Sequence, residues 1–192
     1  MRIAHLRMLC WMMLALASGA GCQSAVSSGR TTMLDGVDLV AMTDDMASRI
    51  GSDAEVNQAA ASGPMSVVVM PVVNNMTAEV LPRGQAIAFT GRVRVLLSKH
   101  APGRFTWVMN RDAFNALRAR ELELGVDPGP NPERIQPGYA LTATFSNLIT
   151  EDKRRRDSFY LCVFELTKVD NGVVLWSGSY EVKKAAVKGF LD

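Results

Sequence analysis

Between residues 139 and 183 the chain alternates with a period of two, and that constrains its fold more than any other feature. Tyr139, Leu141, Ala143, Phe145, Asn147 and Ile149 interleave with Thr142, Thr144 and Ser146, the pattern of a strand with one dry and one wet face. A charged turn follows over 151–157, containing Lys153-Arg154-Arg155-Arg156. Residues 158–169 are mostly apolar, with Phe159, Leu161 and Val163 set against Tyr160, Cys162 and Phe164. Asp170-Asn171-Gly172 is a tight turn of the kind that joins hairpin strands. Residues 173–183 then place Val174, Trp176, Tyr180 and Val182 opposite Ser177, Ser179, Glu181 and Lys183. Three strands with short connections predict an antiparallel meander, whose dry face must be covered by other elements.

Upstream, the period changes. Leu39, Met42, Met46 and Ile50 form one helical stripe, with Asp38 placed to cap its start. Residues 53–64 read as an Ala, Ser and Gly connector. Residues 66–73 are a continuous apolar run and predict a strand covered on both faces, closed by a polar turn in which Asn74 and Asn75 bond to the backbone. Ala86, Phe89, Val93 and Leu96 predict a helix over 83–100, stopped by Ala101-Pro102-Gly103. A short strand over 104–109 and a helix capped by Asn110 follow. In that helix Phe114, Leu117 and Leu124 share a face, and Gly125 ends it. Residues 126–138 hold Pro128, Pro130, Pro132 and Pro137 and predict an irregular stretch, either a functional loop or a long crossing over the surface. The expected fold is α/β (α+β): a mixed sheet of about five strands with a C-terminal meander, packed by two or three helices.

The N-terminus carries an address. Arg2 and Arg7 precede an apolar stretch over 8–17 that is about half the length a bilayer span needs, so residues 1–21 read as an export signal and not an anchor. Ser18-Gly19-Ala20-Gly21-Cys22 resembles the lipobox of bacterial lipoproteins, which implies acylation of Cys22, although Gly19 replaces the usual Leu or Val. The plain alternative is an ordinary cut after Ala17 or Ala20. Several acyl chains would hold the protein to a membrane stably. Residues 22–36 are rich in small polar groups and predict a flexible tether; at ~3.5 Å per residue, 23–35 spans at most ~45 Å. Residues 37–192 form the single predicted domain.

Charge and chemistry narrow the function. The net charge is +2, and Arg2 and Arg7 account for all of it, which leaves the exported domain balanced and without the footprint of a nucleic-acid binder. With Cys10 in the signal and Cys22 bearing lipid, Cys162 stands alone in an apolar run and reads as a buried hydrophobe. His5 lies in the signal and His100 at a helix end, so a Ser-His-acid triad or a His-rich metal site lacks material. The acidic pairs Asp44-Asp45, Glu121 with Glu123, and Glu151-Asp152 read as solvated carboxylates. No cofactor, metal or small-molecule ligand is expected.

A lipobox, a helix, an apolar strand ending in Asn75-Met76-Thr77, two helices around a strand, and a closing pair of strands make up the remaining pattern. The closing pair carries Asp170-Asn171-Gly172 and Leu175-Trp176-Ser177-Gly178-Ser179-Tyr180-Glu181-Val182-Lys183-Lys184. From about Asp38 to Lys184 the chain resembles the LpoB-type outer-membrane lipoproteins, whose fold is shared with the TolB N-terminal domain and the CsgG family. The resemblance implies a non-enzymatic regulator, anchored by palmitate and other acyl chains and facing the periplasm. Such a regulator binds a class A penicillin-binding protein and raises peptidoglycan synthesis. Gln23 after Cys22 points to the outer membrane by analogy with enteric lipoproteins. The alternative within the same fold is a CsgG- or TolB-like role in envelope assembly or secretion.

The resemblance also favours the wet sheet face, Thr142, Thr144, Ser146, Ser177 and Ser179, as the partner-binding surface. Arg154, Arg155 and Arg156 are either a solvated hairpin tip or a contact that steers an acidic partner.

Overall fold

In this computed structural model the described residues are 26–28, 32–77, 79, 81–126, 135–153 and 155–187. The chain order is β1 (Val26–Ser28), α1 (Gly36–Ser52), α2 (Ala54–Ala60), β2 (Met65–Val69), β3 (Val73–Asn74), α3 (Arg83–His100), β4 (Phe105–Val108), α4 (Arg111–Glu123), β5 (Tyr139–Glu151), β6 (Arg155–Lys168) and β7 (Val174–Val187). One mixed sheet runs β1-β7-β6-β5-β2-β4, with β3 also pairing β5. The β5–β6 and β6–β7 pairs are antiparallel, as the period-two pattern requires; the remaining pairs are parallel. The α/β class and the meander are as expected, with two short strands beyond the five.

Parity decides what lies inside. Leu141, Ala143 and Phe145 of β5, with Tyr160, Cys162, Phe164 and Leu166 of β6 and Val182 of β7, are buried on one face. Against them lie Leu39, Met42, Met46, Ala47 and Ile50 of α1 and Phe89, Val93 and Leu97 of α3. Phe89 stacks on Phe164 at 5.8 Å and meets Phe145 edge-on at 5.4 Å, joining helix to sheet at the centre of the core. Cys162 is fully buried, and burial pushes its thiol pKa up, so it behaves as a small hydrophobe.

Several boundaries differ from the sequence reading, each for a local reason. Asp35 caps α1 instead of Asp38: its Oδ1 accepts from the Val37 and Asp38 amides at 2.8 and 3.1 Å, while Asp38 Oδ2 accepts from the Asp35 amide at 2.8 Å. This reciprocal capping box puts Asp38 at the third helical position. The supposed connector contains α2, capped by Asp53 and fastened by the fully buried Val56. The apolar run splits into β2 and β3 because Pro71 has no N–H to give a ladder. In α4 no described residue is buried, and Leu117 and Leu124 are 47% and 72% exposed, so the expected apolar face of that helix is not used in the core.

The charged turn is shorter than expected. Its strands run on to Glu151 and from Arg155, with Asp152 Oδ1 accepting from the Arg155 amide at 2.7 Å. A bulge between Leu166 and Thr167 shifts the register, and Val174, expected on the dry side, is 45% exposed. At the tight turn Gly172 takes φ +71°, a conformation that glycine adopts without strain.

The segment expected to be a free tether is part of the fold wherever it is described. β1 pairs in parallel with β7, Val26 opposite Lys183 and Ser28 opposite Ala185. The Tyr160 hydroxyl oxygen lies 2.7 Å from the Thr32 carbonyl, its one proton shared between that carbonyl and Glu79, and Lys184 Nζ donates to the Met33 carbonyl at 2.8 Å.

The two motifs quoted for the family have structural reasons here. After β3, Asn147 Oδ1 accepts from the Thr77 amide at 2.8 Å and from its hydroxyl at 3.1 Å, and Asn147 Nδ2 donates to the Thr77 carbonyl at 3.2 Å. Thr77 thus ties the loop to β5. In the second motif the Trp176 indole lies so close over Gly178 that a Cβ there would sit 2.7 Å from the ring. Gly178→Ala is expected to displace the indole and lower stability by about 1–3 kcal/mol, read from the urea midpoint together with a change in tryptophan emission.

Candidate interaction surface

Among the described residues, none on the face of β5–β7 turned away from α1 and α3 is fully buried. Pairing arranges it in rows: Thr142–Glu165–Ser177, Thr144–Val163–Ser179, Ser146–Leu161–Glu181, Leu148–Phe159–Lys183 and Thr150–Asp157–Ala185. Five of the residues singled out from sequence, Thr142, Thr144, Ser146, Ser177 and Ser179, therefore share one surface and make up one end of its two outer columns. The middle of the surface, Val163, Leu161 and Phe159, is legible in the sequence as one side of its strand but not as part of the partner surface, because β6 is apolar on both sides. The available signal was the unbroken apolar run itself, since a strand with one wet face would have shown polar residues at these positions. A half-exposed apolar strip rimmed by hydroxyls is the composition of an interface core within a polar rim.

The arginines divide. Arg155 belongs to the open face and pairs with Asp157 at 2.7 Å, both side chains largely solvated; such a pair is worth at most about 1 kcal/mol. Arg156 points to the opposite face, where it meets Glu79 Oε1 at 2.8 Å. It forms no part of the surface carrying the hydroxyl columns. Arg154 and Cys22 lie outside the described residues.

On the helix-covered side is a denser polar cluster. Glu79, with its side chain only 5% exposed, is held by Arg156 and by a hydrogen bond from the Tyr160 hydroxyl. Burial, reinforced by Glu79, raises the Tyr160 pKa, so the phenol remains a donor. One strand over, the Lys184 side chain is 2% exposed and pairs with Asp38 at 2.5 Å and Asp35 at 3.1 Å. Burial alone would lower the lysine pKa, but the hydrogen bonds to Asp38 and Asp35 outweigh it and the net shift is upward. Asp35 is shifted down, chiefly by the Asp38 amide and then by Lys184. Arg156 pairs through its terminal nitrogen while its Nε is left without a partner among the described residues, and together these groups fasten residues 32–38 to β6 and β7. The arrangement is a clasp, and Asp35 and Glu79 also border a cavity of about 250 Å³ beside Met33, Met76 and Leu81.

Among the described residues no group of three or more His, Cys, Asp or Glu side chains could hold a metal ion. No described helix is long and apolar enough to cross a membrane.

These features define a mixed α/β domain whose sheet is covered by helices on one face, with the other face accessible along β5–β7. The chain belongs to the peptidoglycan-synthase activator LpoB family, whose pattern it matches over residues 38–182. Solved structures similar to it include the LpoB C-terminal domain from Escherichia coli, at 20% identity over 76% of this chain and 98% of that one, TM-score 0.45. The LpoB C-terminal domain from Salmonella enterica is similar at 18% identity, over the same shares of the two chains, with a TM-score of 0.44. No curated protein matches the chain.

Proposed function

We propose that this protein is a lipid-anchored, non-enzymatic activator of a class A penicillin-binding protein, held at the outer membrane through Cys22 and facing the periplasm. The open face of β5–β7 is its contact surface. The family supports the activator role; the observation that supports the surface is the partly exposed apolar strip of Phe159, Leu161 and Val163, flanked by the hydroxyls of Thr142, Thr144, Ser146, Ser177 and Ser179. Such a face brings its own hydrogen-bonding rim and a strip that gains by leaving water, at about 25 cal/mol per Å² of apolar area removed. The polar cluster on the other side is the fastening that keeps the N-terminal segment on the sheet, and so sets how the domain hangs from its anchor.

That fastening also shortens the reach. With β1 paired to β7, the stretch between Cys22 and Val26 is about four residues, ~14 Å of contour at most. The domain then sits close to the membrane that anchors it, and the synthase has to extend toward it.

The test is binding between the soluble chain starting at Gln23, which keeps the whole clasp, and the ectodomain of a class A synthase from the same organism. Saturable association is expected, weakened at least tenfold by Thr144→Arg combined with Val163→Asp in the middle of the face. Absence of association, or association indifferent to those changes, contradicts the reading. For the anchor, Cys22→Ala is expected to move the protein from the membrane to the soluble fraction, and unchanged retention contradicts acylation.

A further inference from the structure

The open face is not uniform along its length. At the end nearest the β5–β6 turn it deepens into a groove of about 370 Å³ with Leu148, Phe159 and Ala185 as floor and Arg155, Asp157 and Lys183 at the rim. Leu148 is 68% exposed, the highest fraction among the large hydrophobic residues described on this face. Phe159 is half-buried, and the Lys183 ammonium lies 5.8 Å from the centre of its ring. Asp157 is taken up by Arg155 at 2.7 Å, and among the described residues no carboxylate lies within ion-pairing distance of Lys183. The rim thus carries two cations and one anion, and the anion is already engaged.

We propose that this groove is where the partner protein's anchor is held: an aromatic or branched aliphatic side chain seated on Leu148, Phe159 and Ala185, with a carboxylate beside it that meets Lys183. The inference rests on the activator reading and specifies the partner chemistry of that same surface. An apolar side chain alone would leave Lys183 pointing at a desolvated rim. A carboxylate alone would leave Leu148 in water. A segment bearing both satisfies the floor and the rim together, and a buried anchor in a pocket ringed by polar groups is the usual form of a binding hot spot.

The experiment measures affinity of the soluble chain from Gln23 for the synthase ectodomain as a function of salt, for the wild type, Leu148→Glu and Lys183→Glu. Both positions are exposed, so both variants are expected to keep the wild-type melting temperature. Leu148→Glu is expected to weaken binding by at least tenfold at every salt concentration. Lys183→Glu is expected to weaken it by about tenfold at low salt and to flatten the salt dependence. If the wild type binds and both variants bind equally well, the groove assignment falls while the activator reading stands; if the wild type does not bind, both fall. Two further arms use the same variants. Binding of the wild type to vesicles of anionic phospholipid, abolished by the two changes, would overturn the proposal in favour of a lipid surface. Dimerisation in sedimentation, abolished by Leu148→Glu, would overturn it in favour of a second copy.

Discussion

Phe89→Ala is expected to lower the unfolding free energy by about 3–5 kcal/mol. Phe89 is 3% exposed and is the one α3 side chain stacked on β6 and edge-on to β5 at once. Its removal takes away the transfer free energy of the ring and leaves a hole between three elements that cannot all close toward it. Exposed Ile87, two residues earlier on the same helix and 61% accessible, is the internal comparison: Ile87→Ala should change stability by no more than about 0.5 kcal/mol. Urea denaturation followed by circular dichroism separates the two. Equal losses at both positions would mean that α3 is turned differently on the sheet.

Lys184→Met is expected to cost of order 3 kcal/mol, because it leaves Asp38, a partly buried carboxylate, without its cation and the Met33 carbonyl without its donor. The pH dependence carries the sign. The Lys184 pKa is raised in the fold, so its contribution is complete below the unfolded value of 10.5 and disappears as pH rises through the higher folded value. The Asp35 pKa is lowered, so its contribution is present above 3.8 and disappears as pH falls through the folded value. The wild type should therefore lose stability on an alkaline limb that Lys184→Met lacks, and on an acid limb that Asp35→Asn weakens. The substitution should also release the N-terminal segment, read as faster amide exchange at Val26–Ser28 with the β5–β6 ladder still protected. Slow exchange at β1 in the variant would show that the clasp does not hold the segment.

The meander was legible in the sequence because residues that alternate in hydrophobicity alternate in space. Phe145, Tyr160 and Val182 had to share a face once the strands were paired, and so did Thr144 and Ser179. The helix ending at His100 was legible for the analogous reason, a stripe at three and four. What escaped was whatever depends on partners distant in the chain. Lys183 and Lys184 are chemically alike and adjacent, yet parity puts one in water beside Phe159 and the other under α1, where Asp35 and Asp38 neutralise it. No local pattern marks Lys184 as buried, since the carboxylates that permit it are 149 residues away in the chain in the case of Asp35. The split of Arg155 from Arg156 has the same origin: the basic run reads as one solvated tip until the ladder reaches it and sends alternate residues to opposite faces. The polar composition of residues 23–35 likewise concealed an edge strand and a helix cap, because both are made by backbone groups and a single aspartate.

Glycan polymerisation by a class A synthase from the same organism, followed with and without the soluble chain from Gln23, tests the central claim most directly. The account predicts a faster rate that saturates with the amount of chain added, and no gain from a chain carrying Leu148→Glu and Val163→Asp that melts like the wild type. A rate unchanged by the wild-type chain, or raised equally by the altered one, would contradict it.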